Sequence, residues 1–547
     1  MNWSTSYRRP CVALNPMAHL PKGLGSVGDA PKVHLSRKKI SKIASLMLDQ
    51  TFSAKNFMNV YAQENRMGRI PVETMGEDFK AVIAMIKETN SELQEFRSRK
   101  KAEKTDEVKK KIEELKQEQK DLKADKQKAL FEEMQDLSSK VNSSAFRFKL
   151  EKVWIGDKMG FKIDSKDHAQ LFAMKQLQVN LQKTFKVKQA NRHLIMTNIK
   201  LLLKTKRPFY IIRTDISSFF ESIPQEGLKH IVMDNTLLSY KSKVFVNAIL
   251  NEYEAEKAKL TDDECEGMKE GCGVPRGIGI SSLLSEIYMR DLDNSIKKRP
   301  EVIFYVRYVD DIFMLLAELP QGKDIKSYYS ELENAFKKKG LEMKVLTDDK
   351  CSIIDCTKQD DTKFEVTYLG YRLTIKGKMS KPEDDKSKPK WKYTDVAFSM
   401  SDNKKKRIIN RIDNAFKHFD ATNKYDIHQA RKDLVDSLKL ITGNVRLHKS
   451  KSGIKTGLYY NSDLLDDKND LETLNTYLYS KKVNLHKNLF HTEDEKKACL
   501  TALYSRIRKF NFVTAWETRK MYDLKDSRMK EIMGWLNNEK EEDKTTL

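Results

Sequence analysis

Residues 303–316 read IFYVRYVDDIFMLL, two apolar arms rich in aromatic and β-branched residues on either side of Val309-Asp310. Such arms around a two-residue break predict a β-hairpin. Its tip then carries the adjacent carboxylates of Asp310 and Asp311. Two carboxylates in so apolar a ribbon are costly without a counter-charge, so a cation or a solvent-facing cleft must answer them. Magnesium is the economical cation for an all-oxygen ligand set.

Upstream, residues 208–224 read PFYIIRTDISSFFESIP. Phe209 to Thr214 have the composition of a strand, with Asp215 at its end. A second strand thus delivers a third carboxylate. Mg²⁺ binds through one or two carboxylates plus substrate phosphates, so three carboxylates at strand ends suit two ions, with Mn²⁺ as a substitute, bridging a nucleoside triphosphate. The chemistry implied is phosphoryl transfer to a 3′-hydroxyl with pyrophosphate leaving. Between these segments, residues 271–293 read GCGVPRGIGISSLLSEIYMRDLD. Its glycines allow close backbone approach, and Leu283, Leu284, Ile287, Tyr288 and Leu292 form the apolar stripe of a following helix. The loop lacks the spacing and the Lys-Ser/Thr ending of a Walker phosphate loop.

The whole chain has 547 residues, with 102 Lys plus Arg against 79 Asp plus Glu, a formal net charge of +23. That balance points to a polyanionic partner, nucleic acid first, because Lys and Arg exchange condensed counterions for phosphate contacts. Six cysteines form no disulfide framework, and the closest pair, Cys351 and Cys356, fits no common zinc spacing. No apolar run is long enough for a membrane span, and the first residues lack the apolar stretch of a secretory signal. The expectation is a cytoplasmic protein with no membrane partner.

Four regions are expected. Residues 1–35, with four prolines and three glycines, read as an extended arm. Residues 36–204 read as a mostly helical region containing a charged helix over 97–136. There Val108, Leu115, Leu122 and Ala129 hold one heptad position, while the partner position reads Ile112, Gln119 and Lys126. A seam that is half polar predicts a long helix or helical hairpin lying on another surface, rather than a free dimeric coiled coil. Residues 205–380 read as an α+β domain. The charged link DDKSKPKWK leads into 381–547, where Ile408, Ile412, Phe416 and Phe419, then Leu434, Leu438 and Ile441 before Gly443, predict helices.

The ordered set of Asp215 strand, Pro275-Arg276-Gly277 loop with helix, and Tyr308-Val309-Asp310-Asp311 hairpin resembles the palm motifs of reverse transcriptases. Lys350 in GLEMKVLTDDKC and Tyr368-Leu369-Gly370-Tyr371 are similar to that family's two following motifs, the second being the primer-grip hairpin. The resemblance implies a right-hand polymerase of the α+β class, with fingers to residue 204, an antiparallel palm over 205–380 and an all-helical thumb and C-terminal domain beyond. It makes Asp215, Asp310 and Asp311 the catalytic aspartates and, with Ile216 beside them, the metal site. It puts Phe220, Arg276, Gly277 and Lys350 near the incoming nucleotide, joined from FKVKQANR by Lys188 and Arg192.

RTDISSFFESIP, the Pro-Arg-Gly loop and SEIYMRDLD together look most like the bacterial phage-defence, abortive-infection reverse transcriptases; retron and group II intron branches usually carry Pro-Gln-Gly. The implied partners are RNA or single-stranded DNA and deoxynucleoside triphosphates. A non-coding RNA, a partner defence protein and self-association stay open, as do untemplated and protein-primed synthesis. A retron or group II intron-type reverse transcriptase is one alternative; an RNA-binding, maturase-like scaffold without polymerase activity is the non-enzymatic one, and all three carboxylates tell against that. An RNA-making polymerase would carry a second Asp five residues after Asp215, where this chain has Phe220. Arg276 has two readings, a clamp on phosphate or base and a brace against a carboxylate such as Glu286.

Overall fold

The structure, a computed structural model, describes residues 49–66, 69–98, 106–156, 158–188, 190–204, 209–265, 267–317, 319–357, 363–379, 391–447, 454–486 and 490–537. The arm expected at 1–35 lies outside them. No helix among the described residues is long and apolar enough to cross a membrane.

Most of the charged segment lies in one long helix, which packs on the helix before it. Helices Glu77–Ser98 and Asp106–Asn142 pack antiparallel, with Gln119 donating to Asn90 across the seam and the Lys126 ammonium 5.9 Å from the Phe79 ring. The polar seam positions therefore have partners within this helix pair. Val108, Leu115 and Leu122 are buried at heptad spacing, but the next buried residue is Leu130, followed by Met134, Leu137 and Val141. Beyond Leu122 the helix packs on helices Ala54–Arg66 and His168–Phe185, so its buried stripe shifts by one residue and Ala129 becomes half-buried. The expected helical region also contains a β-hairpin, β1 (Glu151–Ile155) with β2 (Lys158–Lys162).

The central sheet has the order β4-β5-β3-β6, all neighbours antiparallel. Its strands are β3 (Tyr210–Asp215), β4 (Val302–Tyr308), β5 (Asp311–Leu316) and β6 (Ser352–Asp355). Because side chains alternate along a strand, the sheet separates two cores. Ile212, Ile312, Met314 and Leu316 face a core built with the N-terminal helices and helix Ser281–Lys297. Ile211, Phe313 and Leu315 face a second core. That second core contains the three-stranded sheet β7 (Lys363–Tyr368), β8 (Tyr371–Met379) and β9 (Trp391–Met400), together with the C-terminal helices.

The C-terminal region is helical as expected, with helices Asp402–Thr422, Ile427–Thr442, Asn469–Ser480, Glu493–Ile507, Phe512–Glu517 and Asp526–Leu536. It also holds strands that the sequence reading did not anticipate. β9 begins inside the expected charged link and pairs along β8, and β10 (Asn444–Leu447) lies between β11 (Ile454–Gly457) and the two-residue β12 (Met521–Tyr522). Helix Ile427–Thr442 stops before Gly443, where a Cβ would lie 2.3 Å from the Tyr522 ring.

One buried cation joins the sheet to its helix. The Arg307 side chain on β4 is 1% exposed. Its guanidinium pairs with both Glu286 oxygens at 2.9 Å, reaches Asp293 at 2.8 Å and donates to the Val309 carbonyl at 2.7 Å. Tyr305, two residues earlier on the same face, donates to Asp293 at 2.7 Å. Removing one member of a buried ion network leaves the others uncompensated. Arg307→Ala is therefore expected to cost about 3–5 kcal/mol, measured as a fall in the denaturant midpoint; a loss below about 1 kcal/mol would show that water replaces the guanidinium freely.

Candidate active site

Asp215 and Asp311 are direct register partners on β3 and β5, so their side chains leave the sheet on one face. Val309 and Asp310 form the tight turn between β4 and β5 predicted from the sequence. Val309 has φ +62°, a strained value for a β-branched residue, and its carbonyl is the one Arg307 holds. The Ile216 amide donates to the Asp310 carbonyl at 3.1 Å, tying the turn to the end of β3. Ile216 itself is buried, and it bridges to Met343.

Two cations already stand among the carboxylates. Lys350 donates to Asp215 at 3.2 Å, and Asp215 holds the Lys350 ammonium above its usual range. Arg213, a diagonal neighbour of Asp311 on the same face, donates to it at 3.0 Å. Even so, burial, followed by repulsion from Asp215, raises Asp310. Burial pushes Asp311 up to about 6, with Arg213 opposing and both other aspartates adding. The described residues contain no three His, Cys, Asp or Glu side chains already gathered as a metal cage. The site is a charged strand end whose negative charge exceeds what its own cations offset.

The turn at the expected grip, Leu369-Gly370, has φ +44° and +76° and joins β7 to β8 with Tyr368 opposite Tyr371. Tyr368 packs its ring 5.1 Å from Phe313, and its hydroxyl lies 3.3 Å from the Asp311 carbonyl. Tyr371 turns the other way, donating to the Asn461 carbonyl of the C-terminal region at 3.2 Å. Arg192 is not free for a phosphate: its guanidinium donates to the Leu369 carbonyl at 2.9 and 2.6 Å. Lys188 is exposed, with no ion pair among the described residues.

Near the other side of Asp215, Phe219 is buried while Phe220 is half-buried in the short helix Phe219–Ser222. The Arg276 guanidinium lies 5.1 Å from the Phe220 ring centroid and pairs with Glu221 at 2.8 Å. The expected bracing carboxylate, Glu286, is instead taken by Arg307, because Glu286 sits on the buried side of its helix. Gly277 has φ +100°, and a Cβ there would lie 2.5 Å from Ile155 and 2.6 Å from the Phe161 carbonyl. Hairpin β1–β2 thus closes over the Pro-Arg-Gly loop, and Phe161 donates its amide to the Arg276 carbonyl at 2.6 Å. Sequence reasoning missed Arg213, Glu221 and Arg307. For Arg213 a signal existed, since it shares strand parity with Asp215.

Residues 161–373 match the family described as reverse transcriptase (RNA-dependent DNA polymerase). This stretch is a reverse transcriptase domain. As such it is of the nucleotidyltransferase class, and the α+β fold is that of a right-hand polymerase. No curated protein sequence matches the chain. Among solved structures it is similar to a chain in the structure of telomerase from Candida albicans in complex with a TWJ fragment of telomeric RNA, at 10% identity and a TM-score of 0.30. The match covers 73% of this chain and 62% of that one.

Reverse transcriptases as a family use divalent metals. The donors here suit Mg²⁺: they are carboxylate oxygens, two of them held above their ordinary pKa by burial and mutual repulsion, which an ion would relieve. The elevated Asp311 has a consequence for stability. A carboxyl whose folded pKa is raised binds its proton more tightly when folded, so its favourable contribution is complete below about pH 4 and lost as pH rises through about 6. Asp311→Asn removes that penalty. Its unfolding free energy relative to wild type, in metal-free buffer, is expected to be most favourable above pH 6 and to converge toward wild type near pH 4, a swing of roughly 3 kcal/mol at most. A difference that does not vary with pH would contradict the raised ionisation.

Proposed function

We propose that this chain is an RNA-directed DNA polymerase that adds deoxynucleotides by two-metal phosphoryl transfer, in bacterial antiviral defence. The observation that carries the polymerase reading is the cross-strand pair Asp215–Asp311 with Asp310 on the adjoining turn, in a domain matching reverse transcriptases. The defence reading is supported by RTDISSFFESIP, the Pro-Arg-Gly loop and SEIYMRDLD.

Asp215, Asp310 and Asp311 are the proposed catalytic and metal-holding carboxylates, with the main chain at Ile216 beside them. Two divalent ions held there would lower the pKa of an attacking 3′-hydroxyl and stabilise the departing pyrophosphate. Lys350 and Arg213 offset the carboxylates before a nucleotide arrives, and the exposed stem of Lys350 can turn its charge toward a triphosphate. Phe220 stands where a ribose 2′-hydroxyl would have to fit, and Arg276 stacked on its ring holds it there, itself fixed by Glu221. Tyr368 to Tyr371 support the primer end from below the carboxylates, with Arg192 bracing the turn.

Asp215→Ala, or Asp310→Ala with Asp311→Ala, is expected to abolish Mg²⁺-dependent deoxynucleotide incorporation by the purified chain on a primed RNA, and to abolish protection from phage in plaque assays. Incorporation at the wild-type rate by either variant, with an intact melting curve, would sink the assignment. Protection that survives in the inactive variants would leave a nucleic-acid-binding scaffold as the defence function. Phe220→Ala is expected to raise ribonucleotide use relative to deoxynucleotide, and Arg276→Gln to do so more weakly. Unchanged discrimination in both would remove Phe220 from the sugar position.

A further inference from the structure

Two neighbouring cavities in the C-terminal region, about 640 and 570 Å³, share Lys509 as a common wall. The first lies between helices Ile427–Thr442 and Glu493–Ile507. Arg431, Lys432 and Lys439 line it from one helix, and Arg506 and Lys509 from the end of the other. Helical periodicity puts these cations in two facing rows. Asp436 is the one acidic residue among the described lining, and it is already engaged by Lys439 at 2.8 Å and Arg528 at 3.2 Å. Arg519 and Lys520 continue the basic wall along the second cavity, which has no acidic lining residue among those described. Arg431, Lys432, Arg506, Lys509, Arg519 and Lys520 make no ion pair among the described residues.

Apolar side chains line the cavities beside these cations, Val435, Ala502 and Leu503 in the first and Ala515, Met521 and Tyr522 in the second. Arg519 adds an independent sign that a side chain is wanted there. It ends helix Phe512–Glu517 at φ +51°, a conformation that favours glycine. An arginine stands at that position instead, its guanidinium 4.6 Å from the Tyr459 ring.

We propose that this trough is a nucleic-acid site separate from the carboxylate cleft, taking the phosphodiester backbone of a single strand on its lining cations, with sugars and bases against its apolar lining residues. None of its lining residues touches Asp215, Asp310 or Asp311, and the trough lies beyond the matched domain, which ends at residue 373. A row of unpaired Lys and Arg displaces condensed counterions from the phosphates it contacts, and an apolar lining that includes a tyrosine suits unstacked bases more than a closed duplex. The +23 charge of the chain favours this partner over an acidic peptide.

The test compares full-length wild type with the combined Lys432→Gln, Arg506→Gln and Lys509→Gln variant, and separately with Arg519→Gly. Fluorescein-labelled single strands of RNA and of DNA, about 30 nucleotides long to span several phosphate contacts, are titrated at several salt concentrations. The combined variant is expected to bind one or both at least about tenfold more weakly, with the slope of log affinity against log salt smaller by about two. Incorporation at saturating short primer–template should be unchanged. Arg519→Gly should keep or raise the melting temperature while weakening binding. Unchanged affinity and slope for both nucleic acids would overturn the proposal, as would groove variants that lose a bound protein but keep the nucleic acid. Absence of incorporation in wild type would count against the polymerase reading alone, since the binding titration does not depend on it.

Discussion

A guanidinium as far from water as that of Arg307 has to be answered where it stands, and the way it is answered organises the palm. Burial lowers its affinity for a proton, yet Asp293 and Glu286 more than restore it, so the charge is retained inside the core. Burial in turn pushes the Glu286 carboxyl up, and Arg307 pulls it back. Neither partner could remain ionised there alone. The remaining donor capacity of Arg307 goes to the carbonyl of Val309, whose left-handed conformation costs on the order of 1–3 kcal/mol. The network thus joins helix Ser281–Lys297, strand β4 and the turn bearing Asp310 into one rigid piece.

That arrangement divides the labour between the two faces of the sheet. Arg307 and Tyr305 look toward the N-terminal core, while Arg213, Asp215 and Asp311 look toward the core that holds the β7–β8 hairpin and the C-terminal helices. Strand parity allows no mixing. The fixed network lies behind the turn, and the carboxylates lie in front of it, where Lys350 meets the Asp215 carboxylate and Tyr368 reaches the Asp311 main-chain carbonyl. A carboxylate held by neighbours whose own geometry is set by buried hydrogen bonds needs little reorganisation when charge develops nearby.

The parts of this design legible in the sequence are those written in local patterns. The arms of β4 and β5, the turn at Val309-Asp310 and the end of β3 at Asp215 all follow from apolar runs broken at a carboxylate. A long helix lying on another surface is what a seam too polar to serve a free dimer predicts, and helix Asp106–Asn142 packs on its neighbours in that way. Pairings between distant segments left no such trace: the register of Asp215 with Asp311, and the choice of Glu221 over Glu286 by Arg276, exist only once strands and helices are packed. Two misses were readable. Residues 153–161, VWIGDKMGF, hold short strand-like runs around a Gly-Asp pair, the mark of the β1–β2 hairpin. Residues 393–400, YTDVAFSM, carry the strand composition of β9 directly after the lysine-rich link.

The Pro-Arg-Gly loop shows how one substitution in a short motif is absorbed by the fold. A cation there would face the same carboxylate cleft as Lys350 and add to its positive field if left unpaired. Burial of the Glu221 side chain, 3% exposed, beside the Arg276 guanidinium neutralises it instead. The second Glu221 oxygen has no hydrogen-bond partner among the described residues, and Lys158 on the β1–β2 hairpin stands 3.9 Å from it. The hairpin therefore meets the loop twice, through Lys158 toward Glu221 and through the Phe161 amide on the Arg276 carbonyl. An uncharged side chain at 276 would leave Glu221 buried with only the more distant lysine, so arginine and glutamate in this chain are a coupled choice, and the flat face of Phe220 is the surface their pairing holds in place.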